Sequence, residues 1–372
     1  MKKNKLIKRI KLTLLYLISI FFGFYLTEYY FFNKDKKILN TMSKYNFYKE
    51  SLKENYNSIY AINPFHNLDA VAISNYLPLS GVSNHHTITC NENGYFGKYL
   101  SDIHGFNNQN EIWNEKNISY LLIGDSFGLG SCVLNNESIQ HNIKQFTNST
   151  VLNLSLGGNG PLLEYAILRE YLEFVNTKKV IWLFYEGNDL TDLESENRSP
   201  LLKKYLDDDL FSQNLYNLQN KNDAILLEYF EKNKKKLGFK LIKDFLKLKR
   251  LRENIDFNKI KKKDNIAIPE NFLEIILAAK KLSNDNSADF YFVYLPTYNR
   301  FLEKKEIYPY KELSNLIKLN GINFINLQNI YFSKIKYPLD SFPNRKRGHY
   351  TAKTYKEISA IIIKEIEKLK NN

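Results

Sequence analysis

Two six-residue runs, Val180-Ile181-Trp182-Leu183-Phe184-Tyr185 and Phe290-Tyr291-Phe292-Val293-Tyr294-Leu295, carry no charged or amide residue at either parity. A strand with one wet face alternates apolar and polar residues. A run without alternation predicts a strand covered on both faces, as in parallel sheets. Shorter runs at Tyr120–Ile123, Val151–Leu154 and Ile322–Ile325 predict three more strands. Helical patterns lie between them, over Glu137–Phe146 and from Pro161, a favoured first-turn residue, to Phe174. A last helix runs from Ala352 to Lys368. Strands alternating with helices predict an α/β fold with a parallel sheet and helices on both faces. In such sheets a site forms at the carboxyl ends of the strands.

The N-terminus predicts a different environment. Lys2, Lys3, Lys5, Lys8, Arg9 and Lys11 precede an apolar stretch from Leu12 to Leu26, which Tyr29 to Phe32 extend past Thr27 and Glu28. Residues 12–32 just reach the roughly 20 residues a spanning helix needs. The basic flank outweighs Lys34, Lys36 and Lys37, so the positive-inside rule keeps residues 1–11 in the cytoplasm and the rest in the periplasm or outside. The competing reading is a cleaved signal peptide, but no small-x-small site follows Leu26. An uncleaved transmembrane anchor is the expectation. The net charge of +13 over 372 residues suits anionic lipid or acidic glycan. No nucleic-acid recognition motif accompanies it, so nucleic acid is not an expected partner.

Residues 33–116 read as a connector leading into an irregular region, and 117–372 as the α/β domain. Within it, 201–266 is a long basic insertion. Lys234-Lys235-Lys236, Lys247, Lys249, Arg250, Arg252 and Lys261-Lys262-Lys263 interleave there with Leu237, Phe239, Leu241, Ile242, Phe245, Leu246, Leu248 and Leu251. The pattern fits a lid, a membrane-surface helix or a solvated helix packed on the core.

Four blocks carry chemistry. Gly124-Asp125-Ser126 ends the first strand, so Ser126 stands on a sharp turn at a helix start, where unpaired N–H groups favour negative charge. Gly158 follows the second strand, where a glycine lets a backbone N–H approach a bound oxyanion. Asn188 follows the third strand, and its carboxamide is a potential oxyanion donor. Asp189 beside it reads as structural. His349 stands before the last helix, where a neutral imidazole can take a serine proton and return it to a leaving group. Each block alone is an ordinary turn or cap. Cys90 and Cys132 are either a disulfide or two independent thiols, and neither has metal-ligand spacing.

Together, strand–Gly-Asp-Ser, strand–Gly, strand–Asn-Asp and a histidine before the C-terminal helix resemble the SGNH/GDSL hydrolase superfamily. The resemblance covers about residue 118 to the C-terminus apart from the insertion. It implies a flavodoxin-like three-layer α/β/α sandwich and acyl-ester chemistry with no metal or cofactor. Ser126 and His349 are implied as the catalytic residues. Ser126 and Gly158 N–H groups and the Asn188 side chain are implied as the oxyanion hole. Two positions depart from the pattern. Glu186 stands where the third block has glycine, and Lys346 stands where an aspartate commonly precedes the histidine by three residues. A lysine cannot stabilise an imidazolium. That leaves a Ser–His dyad, Asp340 reaching in from upstream, or a weakened site. Anchored domains of this kind modify envelope polysaccharides. The expected function is thus an esterase or O-acyltransferase acting on acylated carbohydrate or another ester. The alternative is a catalytically idle scaffold that binds glycan or an assembly partner.

Overall fold

The computed structural model describes residues 2–39, 44–68, 72–235, 242–255, 267–303 and 309–370. Two compact units result, Met1–Phe47 with Asn233–Asp264, and Tyr48–Lys232 with Asn265–Asn372.

The larger unit is a three-layer α/β/α sandwich. Its sheet contains β4 (Tyr120–Gly124), β5 (Val151–Asn153), β6 (Lys179–Tyr185), β7 (Asp289–Leu295) and β8 (Asn323–Asn326), in the spatial order β5-β4-β6-β7-β8. Every neighbouring pair is parallel. Renumbered within the sheet, this is the 2-1-3-4-5 order of doubly wound flavodoxin-like folds. The apolar runs acquire their meaning here. Val180, Trp182 and Phe184 enter one core, with Phe290, Phe292 and Tyr294 beside them. Ile181, Leu183 and Tyr185 enter the opposite core, with Tyr291, Val293 and Leu295. Helices Pro161–Tyr171 and Phe272–Asp285 cover the first face, and Ile139–Thr147 and Ala352–Lys370 the second. The order switches beside β4, so the turn after β4 opens at the sheet's topological switch point.

Residues 58–100, expected to be irregular, hold a second sheet of β1 (Ser58–Tyr60), β2 (His86–Asn91) and β3 (Phe96–Leu100). β1 and β2 are parallel, β2 and β3 antiparallel. Leu77, Leu79, Phe106 and Ile112 join the main core, so this region is part of the α/β unit. The insertion divides too. Leu201, Leu202, Tyr205 and Leu215 are buried in the same core. Lys236, Leu237, Phe239, Leu241 and Lys261–Lys263 lie outside the described residues.

In the smaller unit the N-terminal helix runs over Lys2–Leu39, and Lys5–Lys34 is long and apolar enough to cross a membrane. Part of the insertion packs on it. Fully buried Glu28 accepts the N–H groups of Arg250 (3.2 Å) and Leu251 (2.6 Å), and Tyr25 donates its hydroxyl to the Leu246 carbonyl.

Candidate active site

β4 ends at Gly124, whose missing side chain lets the strand pass Leu183; an added Cβ would lie 3.0 Å from Leu183 Cβ and O. Asp125 caps the short helix Ser126–Leu129 by accepting the Phe127 N–H at 2.8 Å. Ser126 is therefore the first helical residue, half-buried, at the carboxyl end of β4.

His349 Nε2 lies 2.8 Å from Ser126 Oγ. Phe127, which stacks on Tyr185, packs against the imidazole at 4.8 Å between ring centroids. The Nδ1 edge of the histidine meets a residue that sequence reasoning missed. Glu92 Oε2 accepts the His349 backbone N–H at 2.6 Å and sits 3.1 Å from Nδ1. A carboxylate only accepts, so Nδ1 carries the proton and Nε2 turns its lone pair to the serine. Burial raises the Glu92 carboxyl, but its hydrogen bonds and charge pairing with His349 outweigh that and hold it below the ordinary glutamate value. Gly348 makes room for this approach, since a Cβ there would stand 2.4 Å from Glu92 Oε2.

Asp340 does not reach the histidine. It pairs with Arg345 at 2.5 Å, both side chains more than half exposed. Lys346, at the family's aspartate position, is exposed. Cys90 and Cys132 form a disulfide, and Cys132 Sγ lies 3.3 Å from His349 Nδ1.

The remaining blocks surround the serine. Gly158 adopts φ +86°, in the left-handed region, and an added Cβ on its neighbour Gly157 would be 3.5 Å from Ser126 Cβ. Two residues of the N-terminal region hold this turn from outside. Asn63 donates to the Gly157 carbonyl at 2.9 Å, and His66 Nε2 lies 2.8 Å from the Gly158 carbonyl, which requires a proton on Nε2. Glu196 accepts the N–H groups of Gly160 (2.5 Å) and Leu162 (2.9 Å), fixing the following helix start. Among the described residues, the N–H groups of Ser126 and Gly158 donate to no protein acceptor. Asn188 gives an amide N–H to Asp192 Oδ2 at 2.5 Å, and its side chain also hydrogen-bonds Asp125. Asp189 is structural, accepting the Tyr185 N–H at 2.7 Å. Glu186 forms a buried ion pair with Arg300 and accepts the Thr297 N–H at 2.9 Å, tying the end of β6 to the segment after β7.

Ser126, His349 and Glu92 thus form one hydrogen-bonded line, and the Ser126 and Gly158 N–H groups donate to no acceptor among the described residues. The arrangement resembles an SGNH hydrolase site with its acid drawn from elsewhere. No family model and no curated protein matches the chain. Solved structures that match include proteins described as of GDSL type. A lipolytic protein of the G-D-S-L family from Desulfitobacterium hafniense is 14% identical, covering 68% of this chain and 99% of its own, with a TM-score of 0.36. A GDSL-like lipase from Bacteroides thetaiotaomicron is 13% identical over 69% of this chain and 90% of its own, TM-score 0.34. An acylhydrolase from Bacteroides fragilis is 14% identical over 69% and 88%, TM-score 0.35.

Proposed function

We propose that the protein is a serine-dependent acyl-ester hydrolase or O-acyltransferase acting on envelope carbohydrate. The carrying observation is the 2.8 Å approach of His349 Nε2 to Ser126 Oγ, with Glu92 behind the imidazole. His349 takes the serine proton as Oγ attacks the acyl carbon. Glu92 fixes the ring's tautomer and stabilises the imidazolium that forms. The carbonyl oxygen becomes an oxyanion, and the N–H groups of Ser126 and Gly158 with the Asn188 carboxamide receive it. His349 then protonates the departing alkoxide, leaving an acyl-serine. Water or a sugar hydroxyl, deprotonated by the same histidine, releases the acyl group. Hydrolase and transferase differ only in that acceptor.

The Lys5–Lys34 helix anchors the protein with its basic end in the cytoplasm, so the site faces the periplasm or exterior. A disulfide beside the site suits such an oxidising compartment. Exposed Lys346 and Arg347 next to His349 suit an anionic sugar chain. The idle-scaffold reading drew on Lys346 at the acid position; Glu92 supplies an acid from another direction. An O-acetylated polysaccharide incubated with the full-length chain in detergent tests the proposal. Acetate release, or transfer to an added oligosaccharide, is expected from the wild type and abolished in Ser126→Ala. Turnover equal in both proteins excludes Ser126 as the nucleophile.

A further inference from the structure

We infer that the Cys90–Cys132 disulfide is a positioning device for Glu92, so that acyl chemistry at Ser126 switches on when the two thiols are oxidised and off when they are reduced. The inference rests on the Ser–His–Glu reading and adds regulation to it. Glu92 belongs neither to the sheet that carries Ser126 nor to the segment that carries His349. It stands in the turn between β2 and β3, two residues after Cys90. Cys132 lies six residues after Ser126, and its sulfur touches the same imidazole nitrogen that faces Glu92. The covalent bond therefore joins the strand that leads into the acid's turn to the loop that follows the nucleophile.

The local backbone shows what the bond holds in place. Cys132 is fully buried with φ +63°, a conformation costly for a residue with a Cβ and more readily taken by glycine or asparagine. Its N–H donates to Thr89 Oγ1 at 3.2 Å, and its carbonyl accepts from Asn93 Nδ2 at 3.0 Å. Tyr95 at the far side of the turn donates to Glu137 Oε2 at 2.6 Å. These neutral or peripheral bonds orient the turn, while the disulfide sets its distance from His349. β2 and β3 shift register between Ile88 and Asn91, the stretch that holds Cys90, and pair again at Asn91 and Phe96 on either side of the turn that carries Glu92.

Cys90 is half-buried while Cys132 is inaccessible, which gives reduction a direction. A dithiol's thiolate attacks Cys90 Sγ, the Sγ–Sγ bond breaks, and Cys132 leaves as the thiolate and takes a proton. The reagent's second thiol then displaces Cys90, so two thiols form as the dithiol becomes its cyclic disulfide. A thiol-disulfide oxidant reverses both steps.

The test uses the full-length chain in detergent micelles. Fluorophosphonate labelling of Ser126 is timed in wild type, Glu92→Gln, Cys90→Ala/Cys132→Ala and the triple variant. The Glu92 carboxyl is titrated by carbon-13 NMR, its signal assigned from Glu92→Gln. The cysteine pair variant should label as slowly as Glu92→Gln, and the triple variant no slower still. In the cysteine pair variant the Glu92 midpoint should rise toward the ordinary glutamate value. Dithiothreitol should reproduce both changes in the wild type, with far-ultraviolet circular dichroism unchanged, and reoxidation should reverse them. Wild-type labelling rates in the cysteine pair variant would overturn the inference. So would an equal loss in the Glu92→Gln background, or loss of secondary structure as thiols appear, since either marks a general tie. Absence of labelling in the oxidised wild type would sink the Ser–His reading instead. The carboxyl titration then still decides, because a midpoint unmoved by reduction removes the clamp itself.

Discussion

At the scale of single residues, the line Ser126–His349–Glu92 has one member out of reach of local pattern. Gly124-Asp125-Ser126 and His349 were legible because a strand end and a helix start mark them in the neighbouring sequence. Glu92 stands 257 residues from its histidine and arrives on a separate small sheet. The only sequence signal toward it was a pair of cysteines, one two residues from Glu92 and the other six from Ser126. Asp340 was nearer in sequence, but Arg345 holds it. Glu92→Gln should slow acyl turnover by roughly 10²–10⁴-fold, the range of general acid–base contributions. Gly348→Ala is the sharper prediction. Its Cβ intrudes on the carboxylate tip rather than on backbone. Stability should therefore barely change while Ser126 reactivity falls toward that of Glu92→Gln. A melting temperature lowered in step with reactivity would place Gly348 in the fold alone.

At the scale of elements, the five parallel strands followed from their apolar runs because both parities are buried, Val180, Trp182 and Phe184 on one side and Ile181, Leu183 and Tyr185 on the other. The sheet of β1–β3 was hidden for the opposite reason. β2 buries Thr87 and Thr89 beside Ile88, so its sequence offers only a faint alternation of Ile88 and Cys90 among polar residues and no continuous apolar run. Glu186 reads as a departure from the glycine expected there, yet it holds the ends of two strands through Arg300. Removing one partner of a buried pair strands the other charge, so Glu186→Ala should cost roughly 3–5 kcal/mol in denaturant unfolding. A loss below about 1 kcal/mol would give the pair the weight of an exposed one.

At the scale of the whole molecule, the α/β unit folds around carboxyls that prefer to be neutral. Burial raises Asp125 to about 6 against the pull of the Phe127 N–H. Burial raises Glu196 to about 8, opposed by the N–H groups of Gly160, Leu163 and Leu162. Burial, with Asp125 next, pushes Glu164 and Asp189 well above the ordinary range, and neither oxygen of Glu164 has a hydrogen-bond partner among the described residues. The unfolded chain releases these protons at ordinary carboxylate values, so the folded chain binds more protons from there up to about pH 8. Stability must fall as pH rises through that window. Glu92 has the opposite sign, its contribution being lost as pH falls through its lowered value. The melting temperature should be higher near pH 6 than near pH 8, and Glu164→Gln should flatten that slope by stabilising the protein mainly at the higher pH. A melting temperature that climbs from pH 6 to 8 would contradict this account of the buried carboxyls.

The measurement that bears most directly on the central claim is covalent labelling of the full-length, oxidised chain with a fluorophosphonate, the adduct located by mass spectrometry. A Ser–His pair poised at 2.8 Å predicts stoichiometric modification of Ser126 that disappears in His349→Ala. A folded wild-type protein that leaves Ser126 unmodified, or that labels equally without His349, would contradict it.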